Sequence, residues 1–479
     1  MSQNHPTEFV RAISRVDATA LVVGSMIGSG IFIVSAGMLR DVGTPGLLLL
    51  VWAVSGIVTV MGALTYGELA AMFPKAGGQY VYLREGVSPL FGYLYGWTLF
   101  AVIQTGTIAA VAVAFARFTG VLVPALAPDL FLGGTFRFSL FGRPMGPYEV
   151  GLSAQRLFAI LSILLLTWVN YWGVRTAAKI QTTLTAVKTL ALAALILLGL
   201  TIGRDAAAAA ANFGSGFWPA GGITLSLLPI VGAAMVGALF SMDAWQNVGF
   251  AGSELRNPQR DLPFAMGVGV TIVTVLYLLA NVAYLNVLPA DQIAGAAQDR
   301  VGTAALEAMF GNAGLWLMAV AIMISTFGCN NGLILAGARV YYAMARDRLF
   351  FQKAGVLHPK HHTPAFALVA QAAWASVLCL TGTYNDLLDF VIFAAVLFYM
   401  LTAISLFVLR ARRPDAERLV RAPGYPVLPG LYVVATALIC VVLLVQKPAY
   451  SGIGLAIVLL GVPVYMIWRR QAGAGTPGT

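Results

Sequence analysis

The chain has 479 residues, 59% of them hydrophobic and only 10% charged, with a formal net charge of +10. A soluble domain carries roughly 25% charged residues, so an ordinary soluble globular protein is excluded and a polytopic helical membrane protein is indicated. The positive balance is not a nucleic-acid signal, because the Lys and Arg residues sit in short segments between apolar runs.

Twelve spans read out in chain order, near residues 17–40, 46–72, 92–123, 154–173, 179–202, 223–252, 264–288, 313–343, 364–382, 386–409, 427–446 and 451–468. Many reach the ~20 residues that cross a bilayer. Span 1 follows a polar tail. Ser14, with Asp17 three residues on, is a workable capping pair at its start. The run is too long for a signal peptide and no cleavage site follows, so it is expected to stay as a true span.

Within span 1 lies Gly24-Ser-Met-Ile-Gly-Ser-Gly30. Each Gly costs roughly 1 kcal/mol relative to Ala in a helix. Broken backbone at membrane depth survives only where protein or a water-filled cavity satisfies the freed groups. The N–H groups of Gly28, Ser29 and Gly30 would then face an anion at the start of a half-helix. A close helix–helix contact through small residues would use the same residue types.

After span 2, residues 73–91 mix aromatics and charges and read as a helix lying in the membrane interface. Residues 124–153 are rich in Pro, Gly and Phe and lack a helical period. Span 5 carries Lys188, with no acid within four positions on either side. A lysine at this depth costs about 2.5–3.5 kcal/mol on the insertion scale and marks function by default; snorkelling is the bland alternative. Span 6 contains Phe240-Ser-Met-Asp243-Ala-Trp-Gln-Asn247. Polar residues in mid-span face a cavity or a bundle interior, so spans 1 and 6 are both read as interrupted. Residues 289–312 read as an amphipathic helix over the outer mouth. The tail 471–479 is expected to be disordered.

Cys329, Cys379 and Cys440 all lie in apolar runs and read as small buried hydrophobes, with no disulfide framework. His358, His361 and His362 share a loop with no Cys or clustered acid, so no metal site is expected. With the N-terminus inside, twenty Lys and Arg lie in inner segments and six in outer ones. The positive-inside rule then places both termini in the cytoplasm.

In this order and at these spacings, a set of motifs resembles the amino acid–polyamine–organocation superfamily, and within it the L-type amino acid transporter family, as a bacterial-type member. The carrying residues are Gly24 to Phe32, Tyr66-Gly-Glu68, Pro74 to Tyr80, Asn170 to Val174, Gln181 with Lys188, and Trp245 to Pro263. Asn331-Gly332, Arg339, Ala345-Arg-Asp347, His358 and Thr363-Pro364 complete them. The resemblance covers about residues 14–430. It implies an all-α protein of twelve helices in a five-plus-five inverted repeat, the LeuT-type fold, with helices 1 and 6 broken. The expected division is a tail 1–13, a first repeat 14–202, an outer loop 203–222, a second repeat 223–410, spans 11 and 12 with their preceding loop in 411–470, and a tail 471–479.

The function this implies is alternating-access, sodium-independent exchange of small or medium neutral L-amino acids in the cell inner membrane. A proton-coupled symporter or a carrier of cationic amino acids or polyamines is the alternative. A membrane-embedded enzyme or sensor has no motif to support it here, and no cofactor is expected. The substrate carboxylate is expected at the N–H groups of Ser29 and Gly30, and its amine at the carbonyls of Met26, Phe240 and Asp243. Ile27, Gly28 and Ser241 complete the binding set, and Phe240 is the expected gate. Lys188 is expected to substitute for the cation that sodium-coupled relatives bind, by tying span 1 to span 5, or else to couple protons. Asp243 stands where animal members often have Gly; its carboxylate is either bonded within the broken helix or turned to the cavity. Glu68 is expected to pair with a basic residue at the inner gate, or to be solvated. Because residues 124–153 contain no Cys, no disulfide-linked heavy subunit is expected.

Overall fold

Ser14 and Asp17 start the first helix by capping each other: the Asp17 N–H donates to Ser14 Oγ at 3.2 Å and the Ser14 N–H to Asp17 Oδ2 at 3.0 Å. Here the capping pair anticipated from sequence sets the entry of the chain into the bundle. The computed structural model describes residues 9–140, 143–381 and 384–474. Eleven helices among these are long and apolar enough to cross a membrane, matching spans 1 to 8 and 10 to 12. The predicted ninth span is a helix over Ala365–Cys379, 15 residues, shorter than the ~20 a bilayer needs. Pro364 sets its start, and its far end turns at Leu380, whose carbonyl accepts from the Gly151 N–H at 2.9 Å.

The spans differ in what they touch. Spans 1, 3 and 8 are largely enclosed by protein, whereas spans 11 and 12 leave most of their apolar side chains on the outside. Such a face is stable in lipid, where apolar exposure carries no hydrophobic cost. Span 3 (Pro89–Leu122) contains a π-helical turn at Leu99–Ile103. Thr105 Oγ1 reaches back to the Phe100 carbonyl at 2.6 Å within it. The extra residue rotates the rest of span 3, bringing Thr107 and Val111 to the functional site.

The structure departs from the sequence reading in its connections. The chain is not wholly helical: β1 (Leu130–Leu140) and β2 (Arg143–Ser153) form an antiparallel hairpin. The alternation of Phe136 and Phe138 with Arg137 and Ser139 is a strand period, so the missing helical period was itself the signal. A lone hairpin is marginal. Arg156 anchors this one, its Nη1 donating to the carbonyls of Glu149, Gly151 and Leu380 at 3.1, 2.9 and 3.2 Å. The helix expected at the interface after span 2 runs over Gln79–Gly86, but Gln79 to Leu83 are buried in the protein rather than laid on lipid. Its chain carries too many bulky aromatics to leave unpacked. The loop 203–222 holds a helix, Ala206–Phe213, capped by Asp205 Oδ1 at 2.8 and 3.0 Å from the N–H groups of Ala207 and Ala208. Residues 289–312 form two short helices, Ala290–Ala294 and Val301–Phe310, with Asp299 between them paired to Arg40 at 2.8 Å. The C-terminal tail continues its helix to Ala474; the rest of the predicted disorder lies outside the described residues.

One end of the bundle is rich in ion pairs. Arg15 meets Asp261 at 2.7 Å, Arg339 meets Glu254 at 2.9 Å, and Arg410 meets Glu68 at 2.6 Å. There the residues before span 1 add a short bridge: the Ala12 and Ile13 N–H groups both donate to the Glu254 carbonyl at 2.9 Å. Thus the end of span 6 is tied to the start of span 1.

Candidate functional site: two opposed helix breaks

Span 1 is two helices, Arg15–Met26 and Gly30–Val42, with Ile27 to Ser29 between them. Span 6 is likewise divided, into Leu228–Ser241 and a 3-10 segment Trp245–Glu254, with Met242 to Ala244 between. Ala244 sits in the left-handed region at φ 70°, a conformation that costs energy for a residue with a Cβ and therefore marks an imposed turn. The two readings of the glycine motif both hold, at different positions. A Cβ on Gly24 would lie 2.1 Å from Thr185 Oγ1, so Gly24 serves a close approach of spans 1 and 5. Gly28 and Gly30 serve the break. A Cβ on Gly30 would lie 2.2 Å from Ser241 Oγ and 3.0 Å from Ser241 Cα, so the second half of span 1 starts directly against the end of the first half of span 6.

The breaks enclose a cavity of about 20 Å³ lined by Ser25, Met26, Gly28, Ser29, Gly30, Thr107, Val111, Phe240, Ser241, Asp243, Ala244 and Cys329. Of the predicted substrate residues, Met26, Gly28, Ser29, Gly30, Phe240, Ser241 and Asp243 come together in this wall. Ile27 does not: its side chain is fully buried and its carbonyl faces Lys188 instead. The volume admits about one water, so an amino acid enters only if the breaks move apart. The helix beginning at Gly30 starts in the cavity wall, and the first-turn N–H groups of any helix lack acceptors within it; here the Phe32 N–H turns back to the Ser29 carbonyl at 3.0 Å. Beside them, the Met26 carbonyl already accepts from Tyr277 Oη at 2.8 Å, and the same hydroxyl is 3.2 Å from the Ser241 carbonyl. Tyr277, in span 7, therefore clamps the two breaks together, and Met26 keeps only its second lone pair for a ligand amine. The Phe240 carbonyl accepts from the Asp243 N–H at 3.1 Å, so it too is partly engaged.

Lys188 is 1% exposed. Its Nζ donates to the Gly24 carbonyl, to that of Ile27 at 2.8 Å and to that of Ser325 at 3.3 Å. Ser325 Oγ in turn lies 3.1 Å from both the Ile27 and Gly28 carbonyls. The ammonium thus sits in a cage of carbonyls drawn from spans 1 and 8 while its own backbone belongs to span 5. Carbonyls freed by the break are what a buried cation needs, and the cation is what freed carbonyls need. The lysine does not snorkel.

Asp243 turns its carboxylate to Tyr399 in span 10, whose hydroxyl donates to Oδ1, and it lies against the Ala244 N–H and the Gln246 side chain. The sequence left bonding within the broken helix or a turn to the cavity open; the carboxylate takes partners in the broken helix, Ala244 and Gln246, and reaches across to span 10 as well. Glu68 is fully buried and not solvated. It takes Arg410 Nε at 3.0 Å and Nη2 at 2.6 Å, the Ala422 N–H at 2.7 Å, and Arg418 at 3.0 Å. Removing one partner of a buried ion pair costs about 3–5 kcal/mol. Glu68→Gln should therefore lower stability by about 3 kcal/mol, the low end because Arg410 remains 21% exposed. A melting curve of purified protein in detergent checks this, and an unchanged midpoint would refute it.

Several residues of the site carry no sequence signal. Cys329 was read as filler, yet it lines the cavity and its Sγ lies 2.9 Å from the Ser25 carbonyl. Thr107, Tyr277, Ser325 and Tyr399 lie within apolar runs where spacing does not separate them from other buried residues. Motif residues away from the cavity form a second network. Asn331 accepts from Asn170 Nδ2 at 2.9 Å and donates to Gln181 Oε1 at 3.0 Å, joining spans 4, 5 and 8. The His358 ring belongs to its own loop, Nδ1 accepting from the Lys360 and His361 N–H groups at 3.3 and 3.2 Å.

At the ion-paired end a cavity of about 620 Å³ is lined by Phe9, Arg11, Lys75, Arg84, Arg346 and Asp347 among others. Asp347 accepts from Arg84 and, at 2.6 Å, from Tyr80 Oη. Burial and the neighbouring Asp347 push the Tyr80 phenol well above its usual range, so it stays a donor at any physiological pH.

Residues 13–466 match the family model described as Amino acid permease. The chain is 33% identical over 469 residues to the large neutral amino acids transporter small subunit 2 of Homo sapiens, covering 96% of this chain and 81% of that protein. It is 31% identical over 463 residues to the serine/threonine exchanger SteT of Bacillus subtilis, covering 96% and 97%. It is 30% identical over 475 residues to the Asc-type amino acid transporter 1 of Mus musculus, covering 96% and 82%.

Proposed function

The chain belongs to the amino acid permease family as a multi-pass membrane transporter of amino acids, and from that premise we propose that it exchanges small or medium neutral L-amino acids without sodium. The observation that carries the proposal is the meeting of two helix breaks around one small cavity. Ser29 and Gly30, whose N–H groups would take the carboxylate, and Met26, Phe240 and Asp243, whose carbonyls would take the amine, all line it, and a zwitterion needs both kinds of group close together. Val111, Phe240 and Ala244 add apolar lining to the cavity, which suits a neutral side chain. Phe240 acts as the gate, closing over the ligand when the breaks approach. Lys188 stands as a fixed charge where a coupling cation would otherwise bridge spans 1 and 8. Glu68, with Arg410 and Arg418, belongs to the gate at the opposite end of the path.

In this reading the protein lies in the plasma membrane with both termini and the ion-paired end in the cytoplasm, in keeping with the positive-inside rule. It acts as a carrier rather than a catalyst. Residues 14–202 and 223–410 form the two inverted repeats that rock against each other. Because the hairpin segment 124–153 has no Cys, the protein works without a disulfide-linked partner.

Uptake of labelled alanine into proteoliposomes tests the proposal, with no sodium and no pH gradient, and with or without unlabelled amino acid inside. Uptake only into loaded vesicles is the expected result. Uptake that needs an inward proton gradient, whatever the loading, would replace exchange by symport.

A further inference from the structure

Asp243 is a carboxylate in the middle of a membrane span, in the wall of a cavity read as taking neutral ligands. It is 6% exposed; the Tyr399 hydroxyl donates to its Oδ1, and the Ala244 N–H and the Gln246 side chain lie against it from the broken helix itself. No Lys or Arg among the described residues pairs with it. A buried charge without a cation is costly unless hydrogen-bonded, and an intramembrane acid facing a cavity ordinarily recruits a cationic ligand.

Tyr399 is firmly placed to prevent that. Its ring packs against those of Trp245 and Tyr66 at centroid distances of 5.8 and 6.3 Å. Its backbone carbonyl accepts from Tyr66 Oη at 3.2 Å. The aromatic residues thus hold the phenol in register with span 6. Tyr399 lines a second cavity of about 20 Å³, with Val58, Thr59, Met242, Trp245 and Tyr432 among others, whereas Asp243 lines the cavity of the helix breaks. The Asp243–Tyr399 bond therefore stands between the cavity of the helix breaks and this largely apolar compartment.

We propose that Tyr399 is a specificity-determining positioning residue. By donating to Asp243 it draws the carboxylate toward span 10, so that the side-chain space presents no free anion and cationic amino acids find no partner. The inference rests on the neutral-exchange reading above and names the group that enforces it. It also explains how an acid can occupy a position where a glycine would serve: the tyrosine on a neighbouring span neutralises its effect.

The test compares wild type, Tyr399→Phe, Asp243→Asn and the double variant in proteoliposomes, each assayed for alanine and arginine uptake. Hydrogen bonds to charged groups are strong enough that freeing the carboxylate should raise the arginine-to-alanine ratio about tenfold in Tyr399→Phe. The rise should come mainly through a lower KM for arginine. Adding Asp243→Asn should return the ratio to the wild-type value. A purely structural role for Tyr399 would slow both substrates alike, and that result, or a ratio unchanged from wild type, overturns the inference. Binding of arginine and alanine to each variant, read by thermal shift of purified protein, gives the same ratio without transport. Absence of alanine exchange by wild type would strike the functional reading instead, while the binding ratio would still decide the role of Tyr399.

Discussion

Gly30→Leu should abolish amino acid binding. Even a single Cβ at this position would sit 2.2 Å from Ser241 Oγ, 2.7 Å from its Cβ and 3.0 Å from its Cα. Contacts this short force either span 1 or span 6 to shift. A leucine adds three more carbons in the cavity where the carboxylate is expected. Overpacking costs about 1–3 kcal/mol, and lost hydrogen bonds to a carboxylate about 1.5–3 kcal/mol more. Together these predict a loss of roughly a hundredfold or more in affinity. Thermal shift with serine or alanine is the measurement. Gly30→Ala provides the graded control, expected to weaken binding less while keeping a monodisperse protein. Wild-type affinity in Gly30→Leu would remove the opposed breaks from the substrate site.

The second large effect is expected at Lys188. Lys188→Ala leaves the carbonyls of Gly24, Ile27 and Ser325 without their common donor. Hydrogen bonds to a charged group contribute about 1.5–3 kcal/mol each, and here they all converge on the break whose geometry forms the site. Exchange should fall at least about tenfold. The folded protein should survive better than its activity, because the Asn331–Asn170–Gln181 network still joins spans 4, 5 and 8. Uptake beside size-exclusion profiles of the same preparations separates the two. A wild-type rate would refute the role of cation substitute. Uptake that persists but no longer responds to a proton gradient would make Lys188 the coupling group.

These two residues make part of the site legible in the sequence. Gly30 and Lys188 are anomalous for a membrane span: one weakens a helix and the other is costly in lipid. An anomaly in an otherwise apolar run is visible one residue at a time. The same logic exposed Asp243 and, through the span-2 terminus, Glu68. Which partner each had was another matter. Arg410 and Arg418 lie more than three hundred positions from Glu68, and several basic residues in other inner segments were equally available to it.

The membrane class, eleven of the twelve spans, the two breaks and most of the residues at them are legible in the sequence. Those follow from hydropathy, from the cost of glycine and charge in a helix, and from motif order, all of which act along the chain. Packing between spans sets the rest: Asp243 is turned to Tyr399, Tyr277 lies between the Met26 and Ser241 carbonyls, Cys329 and Thr107 belong to the cavity, and the segment after span 2 is buried. A Tyr, Thr or Cys within an apolar run is cheap wherever it points, so its presence carries no local signal. Its role arises from which span packs beside it, and that is set by side-chain fit between elements distant in sequence.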